Sequence, residues 1–280
     1  GDWSSDVCSS DLYRRLYLSP SSASVTWIHL VGDSNTRNLF HRLHPTFGIG
    51  PSRQIKGRQS SSRKAKKMTV SAIAFRSRSG KYVAGGEGTI IVTYQWWYQP
   101  MTVATARTGA EHLMRRVDAT LGEWVTATGL DVDLASMEDV RATRTYVSLG
   151  SHAEQLSALG MERSLDVLLG PAGLSSEVME RAGVRVWTTT SVQAGMIPRK
   201  FGHQELLRNN AVIRARNQVL AGRRELRGRV VELGGLFETV TELFMRDAVH
   251  AQPTVYVQWA RIVWTEMMRE KEVEGRMVLA

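Results

Sequence analysis

The apolar positions along the chain change period several times, and each change predicts an element. Val25–Val31 (VTWIHLV) is a short apolar run ending at a glycine and predicts a strand. A helix is expected over 36–44. Met68–Phe75 and Thr89–Trp97 are β-rich runs, with Gly80–Gly88 between them as a hairpin-like connection. Leu113, Val117, Leu121 and Trp124 recur at helical spacing and predict a helix within 108–127, before a polar loop at Asp131–Glu138. The second half then alternates. Strands are expected at Arg144–Leu149, Leu165–Leu169, Val184–Thr189 and Arg229–Leu233, with helices at His152–Leu159, Ser175–Ala182 and Gln204–Leu220. A last helix spans Pro253–Arg269, with proline at a favoured first position and Tyr256, Ala260, Val263 and Met267 as its buried stripe. Strand–helix alternation argues for an α/β protein of three α/β/α layers, its sheet mainly parallel and covered by helices on both faces. There is no internal repeat.

Composition bounds the class. The chain has 280 residues, 42% apolar and 22% charged, enough to build a core. No apolar run approaches the ~18 residues of a membrane span. Lys plus Arg is 36 against 27 for Asp plus Glu, a net charge of +9. Residues 1–12, GDWSSDVCSSDL, resemble a translated sequencing-library adapter and are expected to be non-native, with one domain over 13–280. The natural N-terminus, with any signal peptide or anchor, is then expected to be missing before Tyr13. Without that segment the charge is +12, and the only cysteine, Cys8, is gone. Residues 13–280 therefore hold no disulfide, thiol nucleophile or cysteine-ligated metal.

The excess charge collects in a loop at 48–67, where Arg53, Lys56, Arg58, Arg63, Lys64, Lys66 and Lys67 meet no acidic residue. Such a loop can hold phosphates or an anionic glycan through counterion release, or can simply be solvated. No aromatic residue interleaves with the charges, which disfavours single-stranded nucleic acid as a partner. Trp96, Trp97 and Tyr98 at a strand end are either a sugar-stacking wall or core.

Chemistry concentrates at Gly32-Asp33-Ser34-Asn35-Thr36-Arg37, directly after the first strand. Ligands of open α/β sheets bind beyond the carboxyl ends of strands. A serine in a tight strand–helix turn is exposed there, beside free N–H groups and the positive end of a helix dipole. A nucleophilic hydroxyl and its oxyanion need that setting, with Ser34 N–H as one donor. In the plainer reading Ser34 is an N-cap and Asp33 a turn residue.

A hydroxyl nucleophile needs a base, and the base needs an orienting group. Of the seven histidines, only His250 has an aspartate three residues before it, Asp247. Asp247 can bond one ring nitrogen while the other faces Ser34, in the chain order Ser, Asp, His. His29 is expected to pack within the first strand. His41, His44 and His112 fall on helices, and His203 precedes one. His152, in Gly150-Ser151-His152, follows a strand at the same sheet edge, where it can stabilise an oxyanion, contact an acyl group or be an ordinary loop residue.

Together, IHLVGDSNTRNLF, TYQWWYQP, VSLGSHAE and RDAVH resemble the SGNH (GDSL-like) hydrolase superfamily, and within it the PC-esterase branch of glycan O-acyl esterases and acetyltransferases. The resemblance spans most of 25–268. It implies a flavodoxin-like fold and a Ser34–His250–Asp247 triad. Gly150 and His152 match a Gly-x-His motif, and Arg37 would shape the oxyanion hole or clamp the ester. It further implies acyl transfer on O-acetyl groups of carbohydrates, an acetylated glycan or small acyl ester as partner, no metal or redox cofactor, and the secretory pathway or cell exterior as compartment. The alternatives are an inactive glycan-binding relative and, behind it, a basic nucleic-acid-binding protein. The middle motif lacks the tryptophan many plant members carry after the histidine.

Overall fold

The computed structural model describes residues 26–46, 53–56, 70–74, 90–97, 106–128, 138–149, 158–188, 210–233, 244–246 and 250–278. Seven strands form one sheet: β1 (Thr26–Gly32), β2 (Arg53–Lys56), β3 (Val70–Ala74), β4 (Ile90–Trp96), β5 (Arg144–Ser148), β6 (Val184–Trp187) and β7 (Val230–Val231). The spatial order is β2-β3-β4-β1-β5-β6-β7. From β4 to β7 every pairing is parallel, whereas β2 and β3 add on antiparallel at the β4 side. Counting only the five parallel strands in chain order gives 2-1-3-4-5. That is the flavodoxin-like doubly wound order, as the resemblance implied.

The helices are α1 (Ser34–Thr46), α2 (Ala106–Val117), α3 (Leu121–Thr128), α4 (Ala158–Leu168), α5 (Ser176–Arg181), α6 (Asn210–Gly222) and α7 (Pro253–Val278). They divide between the faces because the strands alternate. Ile28 and Leu30 of β1 face the core built with Leu39 and Phe40 of α1 and Val255, Tyr256, Trp259, Ala260 and Val263 of α7. Val31 faces the opposite core, with Leu113 and Val117 of α2, Leu165 of α4, Met179 of α5 and Leu220 of α6. The three layers follow from this two-residue period set against helical stripes. Each large apolar side chain so buried contributes roughly 1.5–3 kcal/mol.

Three expectations need correction. Leu165–Leu169 is not a strand; Leu165 and Leu168 belong to α4. Met161, Leu165 and Leu168 recur four and three residues apart and are all buried, so one helical face meets the sheet. A short apolar run by itself cannot separate strand from helix. The helix expected within 108–127 is two, broken at Asp118–Thr120. Thr120 and Glu123 form a reciprocal capping box there. Glu123 N–H donates to Thr120 Oγ1 (3.2 Å), and Thr120 N–H donates to Glu123 Oε2 (2.8 Å). The loop at 48–67 is also not all loop, since Arg53–Lys56 pairs with Ala74–Ser71 as the edge strand β2. The rest of that loop's basic residues, the segment 1–12, the connection 80–88 and His203 lie outside the described residues, as do most of the polar loop at 131–138 and most of the helix expected at 152–159. The closing helix runs on to Val278. Among the described residues no helix is long and apolar enough to cross a membrane.

His29 packs within β1 as expected, fully buried. Trp27 Nε1–H donates to Thr93 Oγ1 (2.8 Å), and Thr93 Oγ1 lies 2.6 Å from His29 Nδ1. The indole can only donate, so the threonine proton is left for Nδ1, which must be the unprotonated nitrogen. Burial first, and the Arg116 charge second, lower the His29 pKa to about 3. The neutral ring is the folded form, while the unfolded chain takes a proton near 6.5. This contribution to stability is complete above pH 6.5 and is lost as pH falls toward about 3. Urea midpoints of wild type and His29→Gln between pH 7 and 4.5 test it. Wild type should lose on the order of 1–3 kcal/mol more than the variant, and parallel curves would refute the assignment.

Candidate active site

β1 ends at Gly32, and the chain turns through Asp33 directly into α1. Gly32 is required by proximity. A Cβ there would stand 2.9 Å from Ser148 Cβ on the adjoining strand and deep inside contact with Thr36 Oγ1. The helix is capped by Asp33. Its Oδ1 accepts from Asn35 N–H (2.9 Å) and Thr36 N–H (3.2 Å). The capping role therefore falls to Asp33, and Ser34 occupies the first helical position. Among the described residues, no acceptor meets Ser34 N–H.

The carbonyls of the turn are tied back into the sheet. Trp97 N–H donates to Gly32 C=O (2.9 Å), and Tyr94 O–H reaches Gly32 C=O (3.2 Å) and Asp33 C=O (3.0 Å). Burial, reinforced by Asp33 and opposed by Arg37, pushes the Tyr94 phenol well above its ordinary value, so it remains a donor. With its carbonyls held this way, the turn has a fixed geometry.

His250 arrives from the far end of the chain. Residues 244–246 and 250–252 run antiparallel. Arg246 N–H donates to His250 C=O (2.7 Å), Met245 bridges Ala251, and Gln252 N–H donates to Phe244 C=O (2.7 Å). Met245 and Ala251 are buried in the α1/α7 core, which anchors this loop just before Pro253 opens α7. The half-buried His250 then places Nε2 2.6 Å from Ser34 Oγ. The two residues are 216 positions apart in sequence.

A second contact fixes the two helices that carry the pair. Tyr256 O–H donates to Asn35 Oδ1, and Asn38 Nδ2–H donates to Tyr256 Oη (3.2 Å). Tyr256 lies in the first turn of α7, six residues beyond His250, and is buried, while Asn35 adjoins Ser34. This bridge holds the N-terminal ends of α1 and α7 at one separation. Sequence patterning had placed Tyr256 only in a buried stripe, because spacing does not reveal a phenol's partner. Tyr94 was missed for the same reason.

Of the sequence-predicted residues, Ser34 and His250 meet, and Arg37 lies one turn along α1, half-buried. Asp247, Gly150 and His152 lie outside the described residues, although β5 ends at Ser148 beside β1 on this same edge. Trp97 is core, packed with α2 and α4, and is no part of a sugar-stacking wall. His41 and His112 are exposed on helices, in line with the sequence reading. Among the described residues no group of three or more His, Cys, Asp or Glu side chains could hold a metal ion.

No family model and no curated protein matches the chain. Among solved structures the chain is similar to a Slackia heliotrinireducens protein described as "a putative SGNH hydrolase". Identity is 15%, with 87% of this chain and 100% of that one covered and a TM-score of 0.44. A likeness that low carries no argument here, and the fold rests on strand order and layering.

The Asn35–Tyr256–Asn38 bridge makes a measurable prediction. Tyr256→Phe leaves the buried Asn35 Oδ1 without its donor and should cost about 1–3 kcal/mol of stability. Asn35→Ala should cost less in the Tyr256→Phe background than in wild type, by at least about 0.5 kcal/mol. Additive losses in the double-mutant cycle would show that the contact is not made.

Proposed function

We propose that the protein is a serine-dependent acyl esterase or O-acetyltransferase working through an acyl-Ser34 intermediate. The observation that carries this reading is the 2.6 Å approach of Ser34 Oγ to His250 Nε2 at the carboxyl edge of β1. It is supported by the cap at Asp33, which satisfies two helix-end N–H groups and leaves that of Ser34 for an oxyanion.

In the proposed first half-reaction, Nε2 takes the Ser34 proton as Oγ bonds to the ester carbonyl carbon. The oxyanion is held by Ser34 N–H, with Arg37 and the Gly150–His152 segment as further contacts. Collapse breaks the bond to the alkoxy oxygen, and His250 returns the proton to the departing alcohol. Asp247 orients the imidazole and balances its charge. In the second half, water or a sugar hydroxyl gives its proton to His250 and attacks the acyl carbon, the bond to Ser34 Oγ breaks, and His250 hands the proton to that oxygen. The substrate class we assign is O-acetylated carbohydrate, from the resemblance of the Gly-Asp-Ser-x-x-Arg, Gly-x-His and Asp-x-x-His motifs to the PC-esterase branch. The same resemblance supports residues 13–280 acting as one domain and a setting in the secretory pathway or outside the cell.

Hydrolysis of a chromogenic acetyl ester and of acetylated oligosaccharides by the purified full chain tests the reading. Turnover should be abolished in Ser34→Ala and lowered roughly 10³-fold or more in His250→Ala. Asp247→Asn should lower it by roughly 10²–10⁴. Intact-mass spectra after rapid quenching should show an acetyl adduct on the Ser34 peptide. Glycan binding without turnover or adduct would identify an inactive relative. Binding to duplex or single-stranded nucleic acid that weakens steeply with salt, again without turnover, would favour the nucleic-acid alternative.

A further inference from the structure

A cavity of about 470 Å³ opens on the sheet face that carries α2 and α3. Gln95 of β4, Arg115 and Arg116 of α2, Trp124 of α3, Asp118 and Glu123 all line it. It is separate from the Ser34–His250 pair, which sits where α1 and α7 meet on the other face.

Among the described residues, two buried atoms of this cavity's side chains lack partners. The half-buried Arg116 side chain donates through Nη1 to His112 C=O (3.1 Å), and its buried Nε meets no acceptor. Among the described residues no carboxylate pairs with it. The nearby acids are committed elsewhere: Asp118 to Arg141 (3.0 Å) and Arg181 (2.8 Å), and Glu123 to the capping box. A guanidinium partly withdrawn from water without a counter-charge is disfavoured, and that burial lowers its pKa below the ordinary arginine value. Gln95 is 8% exposed, and its Oε1 has no donor. One group requires an anionic oxygen and the other an O–H or N–H.

From this pairing of unmet demands we propose a binding site for a small hydroxylated carboxylate the size of one sugar acid. The carboxylate accepts from Arg116, in a charge-assisted bond. A ligand hydroxyl donates to Gln95 Oε1. The volume falls within the range of small-molecule sites. This site does not depend on the acyl-transfer reading.

Calorimetric titration of the full chain with D-glucuronate, D-glucose and sulfate tests it. Glucuronate should bind, while glucose, lacking the carboxylate, should not at the same concentrations. Arg116→Met should weaken glucuronate at least about tenfold, and Gln95→Leu by a smaller factor. Should Arg116→Met fail to fold, Arg116→Lys, which keeps the charge and loses the fork, must still weaken binding. Ser34→Ala should bind glucuronate as wild type does. No binding, or binding unchanged by the Arg116 and Gln95 variants, would overturn the site. Loss of binding in Ser34→Ala would move the ligand to the other pocket. Sulfate binding as tight as glucuronate and indifferent to Gln95→Leu would reduce it to a bare anion contact and overturn the hydroxycarboxylate assignment.

Discussion

The carboxylate of Asp33 does two things at once, and the edge of the sheet is organised around it. By accepting from Asn35 N–H and Thr36 N–H it starts α1 two residues earlier than the sequence pattern suggests. It also relieves Ser34 of capping, so the serine hydroxyl is available to a partner from elsewhere. Had Ser34 been the cap, one lone pair of its oxygen would be engaged with its own helix. Gly32 is part of the same constraint, because the turn passes too close to Thr36 and Ser148 for any side chain.

The partner comes from a loop that could rotate away if only its own short pairing held it. What holds it is the packing of α7 on α1. The core of Phe40, Tyr256, Trp259 and Ala260 sets the distance between the helices, and the Asn35–Tyr256–Asn38 bridge sets their register. Apolar contact is tolerant of sliding by fractions of an ångström, whereas a buried hydrogen-bond network is directional. The short Ser34–His250 separation is therefore inherited from contacts one to two helical turns away.

The opposite face has a different character. His29, Thr93 and Trp27 form a buried polar chain beneath α3, and Arg116 supplies a nearby positive charge. The bond from Thr93 to His29 Nδ1 requires the imidazole neutral. Arg116 and Gln95 next to it are not satisfied by the protein's described groups. One face of the sheet thus joins Ser34 to His250, while the other leaves Arg116 Nε and Gln95 Oε1, beside a cavity, without partners among the described residues.

Alternation of strand and helix patterns was enough to determine the three layers, the mainly parallel sheet and most elements, because period is a local property of the chain. The turn at Gly32–Arg37 was legible too, since a glycine, an acid and a serine after an apolar run are local features. The break at Thr120–Glu123 was written in a Thr-x-x-Glu spacing that helical periodicity masked, and the apolar run at 165–169 was ambiguous until a sheet lay beneath it. Only the tertiary structure decided that Asp33 caps, that Tyr94 and Tyr256 brace the site, and that position 250 meets position 34. The tyrosine and histidine contacts depend on distances between residues far apart in the chain, which periodicity does not carry, whereas the cap is local and turned on which of two adjacent polar side chains, Asp33 or Ser34, takes it.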